Sequence, residues 1–274
     1  MDYWQIEQTG GVVVAAYHNP PMNYFCAEGA QALAALIEGW RDDPAVRVVI
    51  LTGGIPGKLI THYSVEELEA LAADREGMRA MGTALNDGYH AMLSALETLP
   101  KPVIAAMNGD AMGGGFELCL ACDIRIAQTG DHRFGLPEVK LGILPGGSGT
   151  QRLSRLIGAG RAIEFILRGR VVPPDTARDL GLVHECADDA LARARVIGAE
   201  MAALPPKAVA RIKHAVYAGS DTHLTAGLSI EAADFLETML SDDGLAAMRA
   251  YLEQPLDKRR DWLENPDAPA YTGR

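Results

Sequence analysis

Asn108-Gly109-Asp110-Ala111-Met112-Gly113-Gly114-Gly115-Phe116-Glu117-Leu118-Cys119-Leu120-Ala121-Cys122-Asp123 decides how the rest of this chain is read. The apolar run from Pro102 to Met107 leads into it. Three glycines follow, and helix-like apolar spacing then resumes with one carboxylate, Glu117, in its first turn. That order predicts strand, loop, helix. Glycines at such a junction let the backbone approach a ligand closely, and the free amides of a helix's first turn carry partial positive charge. The stretch reads either as a place for an anion or a developing oxyanion with an acid/base group beside it, or as a tight helix-packing turn. Dinucleotide and P-loop motifs do not fit, because Leu118 stands at the third glycine position of Gly-x-Gly-x-x-Gly and the P-loop lysine is absent.

Outward from this centre, strand and helix patterns alternate. Residues 11–17, 46–52, 101–107 and 123–127 read as strands, the second nearly all apolar, as in a strand buried on both faces. Leu33, Leu36, Ile37 and Trp40 recur at helical spacing within residues 27–40. Ser64-Val65-Glu66-Glu67 has capping-box spacing and predicts a helix starting at Ser64, with His62 and Tyr63 at its entry. Residues 77–99 predict one longer helix ended by Pro100. Residues 134–138 and 142–149 are Gly/Pro loops, with helices from about Thr150. After Pro205-Pro206 the pattern is helical only. The order predicts an α/β core, residues 1–204, with mainly parallel pairing, followed by a C-terminal helical region, residues 205–274.

Composition restricts the function classes. The 274 residues carry a net charge of −11, which argues against non-specific nucleic-acid binding. No apolar run approaches the roughly 20 residues needed to span a bilayer, and the first residues lack a leader pattern, so a cytoplasmic protein without membrane contact is expected. Cys119 and Cys122 form a lone Cys-x-x-Cys with no second ligand pair, so no metal is expected.

Single residues leave choices open. Glu117 in an apolar helix either caps amides or sits in a dry site suited to proton transfer. Glu138, between Leu136 and Val139, is a site residue or a solvated loop glutamate. Ser148 resembles a nucleophile but lacks the second glycine of Gly-x-Ser-x-Gly, so a helix cap is the better reading. His62 and Tyr63 line a pocket or lie on the surface.

Taken together, Lys101 to Gly109, Gly113-Gly114-Gly115-Phe116-Glu117-Leu118, Cys122-Asp123, Phe134-Gly135-Leu136-Pro137-Glu138, Leu141 to Gly146, and Thr150-Gln151-Arg152-Leu153 resemble the crotonase, or enoyl-CoA hydratase/isomerase, superfamily. The resemblance implies a crotonase-like spiral of ββα units and a C-terminal helical region that builds a homotrimer or a dimer of trimers. It implies an oxyanion hole made by the backbone amides of Tyr63 and Gly114, which holds a thioester carbonyl as its enolate forms. Glu117 and Glu138 align with the two glutamates of family hydratases, and coenzyme A would be part of the acyl-CoA substrate, with no permanently bound cofactor. Thr61, His62, Gly113, Leu136, Pro137 and Gly146 are the expected pocket residues, joined by Phe235, whose counterpart reaches a neighbouring subunit. The physical demands agree, because an enolate needs preorganised donors and hydration needs an acid and a base.

Two departures bear on substrate. Leu59-Ile60-Thr61-His62-Tyr63-Ser64 stands where the family usually has Phe-Ala-Ala-Gly-Ala-Asp, which predicts a reshaped acyl pocket. Gln254-Pro255 follows Tyr251-Leu252-Glu253 where relatives often have a Lys-Arg pair for CoA phosphates, leaving Lys258, Arg259 and Arg260 as substitutes. The leading expectation is a lyase that adds water to a 2-enoyl-CoA. An isomerase, a CoA-independent hydrolase of a β-diketone C–C bond, and a non-enzymatic oligomer are the alternatives.

Overall fold

Runs of Val, Ile and Ala that leave no side free for solvent become inner strands. A computed structural model describes residues 2–265 and 269–273. Among these, ten strands occur: β1 (Trp4–Thr9), β2 (Val12–Tyr17), β3 (Val48–Gly53), β4 (Gly57–Ile60), β5 (Val103–Met107), β6 (Gly109–Met112), β7 (Ile124–Gln128), β8 (Phe134–Gly135), β9 (Val171–Val172) and β10 (Glu185–Ala187). They form a larger sheet in the order β1-β2-β3-β5-β7-β10 and a smaller one in the order β4-β6-β8-β9. β1 with β2 and β8 with β9 are antiparallel, and the other pairings are parallel.

The expected spiral is present. Three times the chain lays one strand in the larger sheet, the next in the smaller, and then a helix: β3 and β4 before Val65–Ala73, β5 and β6 before Gly114–Leu120, β7 and β8 before Gly149–Ile157. All of β3 and β5 is buried, as near-continuous apolar runs require. One core cluster holds Phe25, Leu33, Phe116, Phe134 and Phe165, and a second holds Val14, Ile50 and Ile104 against Ala190 and Ala194. Asn108 joins successive turns: its side chain donates to Gly53 O at 2.8 Å and accepts from Gly53 N at 3.0 Å.

The structure changes several expectations. The helix predicted over residues 77–99 is broken into Arg75–Met81, a 3-10 turn Gly82–Asn86 and Asp87–Glu97, because Gly82 takes a φ of 60°. Ser64 caps as predicted, accepting from Glu67 N at 3.1 Å. Ser148 occupies an N-cap position but makes no capping bond. Its φ is 82°, and its hydroxyl accepts from Arg152 instead.

Among the described residues after Pro205 the elements are all helical: Pro206–Ser220, Leu224–Met239, Asp242–Glu253, a 3-10 turn Leu256–Lys258, and Arg259–Glu264. Lys213 fastens the first of them to the core, donating to Leu96 O, Lys101 O and Asp123 Oδ2 at 3.1, 3.0 and 2.8 Å. Residue 1 and residues 266–268 and 274 of the expected two-part division lie outside the described residues. No described helix is long and apolar enough to cross a membrane.

Candidate active site

The turn after β6 sets the geometry. Gly113 takes a φ of 51°, a conformation that L side chains rarely adopt, and its N–H donates to Gly135 O at 2.9 Å. Met112 N–H donates to Thr61 O at the same distance. These two bonds bring residues 61–63, 112–114 and 134–138 together. The helix that follows lies so close to β4 that a Cβ on Gly115 would stand 2.0 Å from Ile60 O.

Tyr63 N–H and Gly114 N–H, the latter first in its helix, are left without an acceptor among the described residues. They are neighbours: a Cβ on Gly114 would stand 3.7 Å from Tyr63 N. Two adjacent, unpaired backbone donors suit an oxygen that gains negative charge.

Glu117 is 3% exposed and accepts from Gly149 N–H at 2.6 Å. Burial raises its carboxyl from the ordinary 4.5 to about 7, against the pull of the Gly149 and Gly147 amides and of Arg152. Glu138, at the start of the 3-10 turn Glu138–Leu141, is 8% exposed, and its Oε2 is buried with no hydrogen-bond partner. Burial raises it to about 7 as well, and the charge of Glu117 adds to the rise. Glu138 Oε1 faces the glycine turn, 3.1 Å from where a Cβ on Gly113 would stand. Glu117 is thus buried and bonded to the first amide of the helix Gly149–Ile157, and Glu138 is buried rather than solvated.

The remaining expected residues are distributed unevenly. The Thr61 hydroxyl is committed to Met22 O at 2.6 Å, leaving it no free donor for a substrate. His62 stacks on Tyr24 with ring centres 4.1 Å apart, and its Nδ1 lies 2.7 Å from Tyr63 O. A carbonyl only accepts, so Nδ1 carries the proton and Nε2 remains available. Leu136 is fully buried, with a methyl 3.0 Å from where a Cβ on Gly149 would stand. Pro137 is half-buried, and Gly146 accepts from His90 Nε2 at 2.7 Å. Phe235 is 63% exposed on Leu224–Met239, outside the buried cluster. Lys258, Arg259 and Arg260 contact Asp261, the Gln254 and Leu252 carbonyls, and Glu264, respectively.

Three neighbours were not foreseen from the residues. Tyr89 donates to Gly114 O at 2.9 Å and meets the Tyr63 ring edge-on at 5.8 Å. Gly147 is wedged: a Cβ there would stand 2.3 Å from Tyr89 Cε1 and 2.6 Å from Glu117 Oε2. At the far end of the Gly114 helix, buried Arg125 donates to the carbonyls of Leu182, Cys119 and Cys122 at 2.8, 3.3 and 2.7 Å, with no carboxylate partner among the described residues. Tyr89 sits among unremarkable helix residues, and nothing in its local pattern marks it.

Comparison with known proteins identifies the family and the fold. The family model described as enoyl-CoA hydratase/isomerase matches residues 7–262. The chain is 34% identical over 252 residues to a short-chain-enoyl-CoA hydratase of Clostridium acetobutylicum, covering 91% of this chain and 94% of that one. It is 31% identical over 255 residues to the mitochondrial methylglutaconyl-CoA hydratase of Homo sapiens, covering 90% and 73%. The crystal structure of an enoyl-CoA hydratase from Bacillus anthracis superposes with a TM-score of 0.86 at 30% identity, over 99% of this chain and 100% of that one. The chain belongs to the enoyl-CoA hydratase/isomerase, or crotonase, family.

Proposed function

We propose that the protein adds water across the double bond of a 2-enoyl-CoA. The observation that carries this reading is the pair of buried carboxyls, Glu117 and Glu138, beside the unpaired amides of Tyr63 and Gly114. An isomerase that shuttles one proton needs a single acid/base group, whereas hydration needs one group for water and another for carbon.

The environments divide the roles. Glu117 receives an amide hydrogen bond and lies near Arg152, both of which favour the carboxylate. Glu138 has an unpartnered oxygen and feels the charge of Glu117, which favours the acid. Glu117 therefore takes the proton of the attacking water. As the oxygen bonds to C3, electrons move onto the thioester oxygen, where the Tyr63 and Gly114 amides hold the enolate. Glu138 then gives its proton to C2, and the carbonyl reforms. One preorganised donor of this kind is worth about 3 kcal/mol.

His62 and Tyr24 form one wall of the acyl pocket in this reading, and the substrate carries coenzyme A as its thiol part. The assembly is a homotrimer or a dimer of trimers, supported by apolar Phe235, Leu236 and Leu240 left exposed on the C-terminal helices. The test is loss of the conjugated-thioester absorbance of crotonyl-CoA and longer 2-enoyl-CoAs, with the 3-hydroxyacyl product identified by mass. Hydration with a bell-shaped pH profile centred near pH 7 is expected, since the coupled carboxyls titrate there. Absence of hydrated product from every chain length would remove this reading.

A further inference from the structure

Tyr89 touches both halves of the proposed hole. Its hydroxyl donates to Gly114 O at 2.9 Å, and its ring lies edge-on to the Tyr63 ring, with centroids 5.8 Å apart. Phe25 completes the cluster, 6.0 Å from Tyr89 and 6.4 Å from Tyr63. On its other side Gly147 fits against the ring with no room for a side chain. Tyr89 comes from the helix Asp87–Glu97, so these contacts tie five separate stretches of chain into one block.

We infer that Tyr89 is a positioning residue that fixes the separation and aim of the Tyr63 and Gly114 amides; this rests on the thioester-binding role given to those amides above. The phenol hydrogen bond restrains the first turn of the Gly114 helix, and the edge contact restrains the Tyr63 side. Backbone bonds already hold each half, Tyr63 through its bridge to Phe25 and Gly113 through Gly135 O, and Tyr89 adds the side-chain link between the two. The Tyr63 hydroxyl is engaged elsewhere, donating to Glu67 at 2.9 Å, so its ring has no polar link of its own to Gly114. A donor aimed slightly wrong in the ground state loses most of its value once charge develops.

The experiment compares wild type, Tyr89→Phe and Tyr89→Leu by three measurements. The first is kcat and KM for 2-enoyl-CoA hydration. The second is the infrared shift of the thioester carbonyl of bound butyryl-CoA, which cannot be hydrated and reports only on the hole. The third is the thermal midpoint. Tyr89→Phe is expected to lower kcat by about three- to tenfold with KM nearly unchanged, as loss of one hydrogen bond implies, and to reduce the carbonyl shift. Tyr89→Leu, which also removes the ring edge, is expected to reduce both further. An unchanged carbonyl shift and kcat in Tyr89→Phe would overturn the assignment, as would a lowered thermal midpoint with the carbonyl shift intact, which marks a purely structural tyrosine. If wild type hydrates no enoyl-CoA yet shifts the butyryl-CoA carbonyl in a Tyr89-dependent way, the hydratase reading fails and the positioning role stands.

Discussion

The glycine-turn region and the C-terminal helices bury opposite kinds of residue. Around Gly114 the chain buries Phe116, Leu118 and Leu136 and admits charge only as Glu117, Glu138 and Arg125. In Leu224–Met239 and Asp242–Glu253 the buried residues are Asp234 and Asp243, while Leu224, Phe235 and the following Leu240 are 78, 63 and 73% exposed. Asp234 holds His214 and Arg211, and Asp243 holds the amides of Thr272 and Gly273. A cleft of about 650 Å³, lined by Arg41, Leu99, Arg211 and Lys213 among others, runs between the first C-terminal helix and the core. The first region closes on itself around its few buried charges. The second is braced by polar contacts and leaves its apolar side for another surface, which fits the proposed assembly.

The sharpest way to break that contrast is to neutralise the two buried acids. Glu138→Gln and Glu117→Gln should each lower kcat for hydration by about a thousandfold, within the range for general acid/base groups, while the chain stays folded by circular dichroism. Near-normal turnover in either variant would make these carboxyls structural, like Asp234.

Stability against pH is the next largest effect. Each acid keeps its proton to about pH 7 in the folded chain, where an ordinary carboxyl loses it near 4.5. The folded state thus binds more protons between these values, so stability falls as pH rises from about 4.5 to about 7 and is flat above. Glu117→Gln should remove on the order of 3 kcal/mol of that fall. Urea titrations at pH 5 and pH 8 measure it, and equal slopes in variant and wild type would contradict the burial argument.

Gly115→Ala tests the close packing of the first region. A Cβ there meets the Ile60 carbonyl, so about 2 kcal/mol of destabilisation is expected from the urea midpoint. Leu240→Glu tests the second region, and there the isolated chain should lose less than about 0.5 kcal/mol. Its elution volume should move toward the monomer, and an unchanged volume would show that this face is not part of an interface.

Legibility followed the same division. Apolar runs announced β3 and β5, and the capping box announced the helix at Ser64, because in both cases neighbours in sequence make the decisive contacts. β1 escaped notice because most of its residues are exposed, and β4 and β6 because four-residue strands with glycine carry little pattern. Motif register singled out Glu117, Glu138 and Gly114, and the structure buries both carboxyls and leaves the Gly114 amide unpaired among the described residues. Thr61 stands where the family usually has alanine, and its hydroxyl goes to Met22 O. Tyr89 and Arg125 could not be read, since their roles lie in partners distant along the chain, such as Gly114 and Leu182.

Arg125 changes what a short helix can do. Seven residues span only about 10 Å, so the negative carbonyl end of Gly114–Leu120 would sit close enough to cancel much of the field at its amide end. The guanidinium lodged among the terminal carbonyls opposes that negative end with a positive charge. The helix therefore behaves less as a dipole than as a one-ended electrode, whose uncompensated pole is its amide end at the glycine turn.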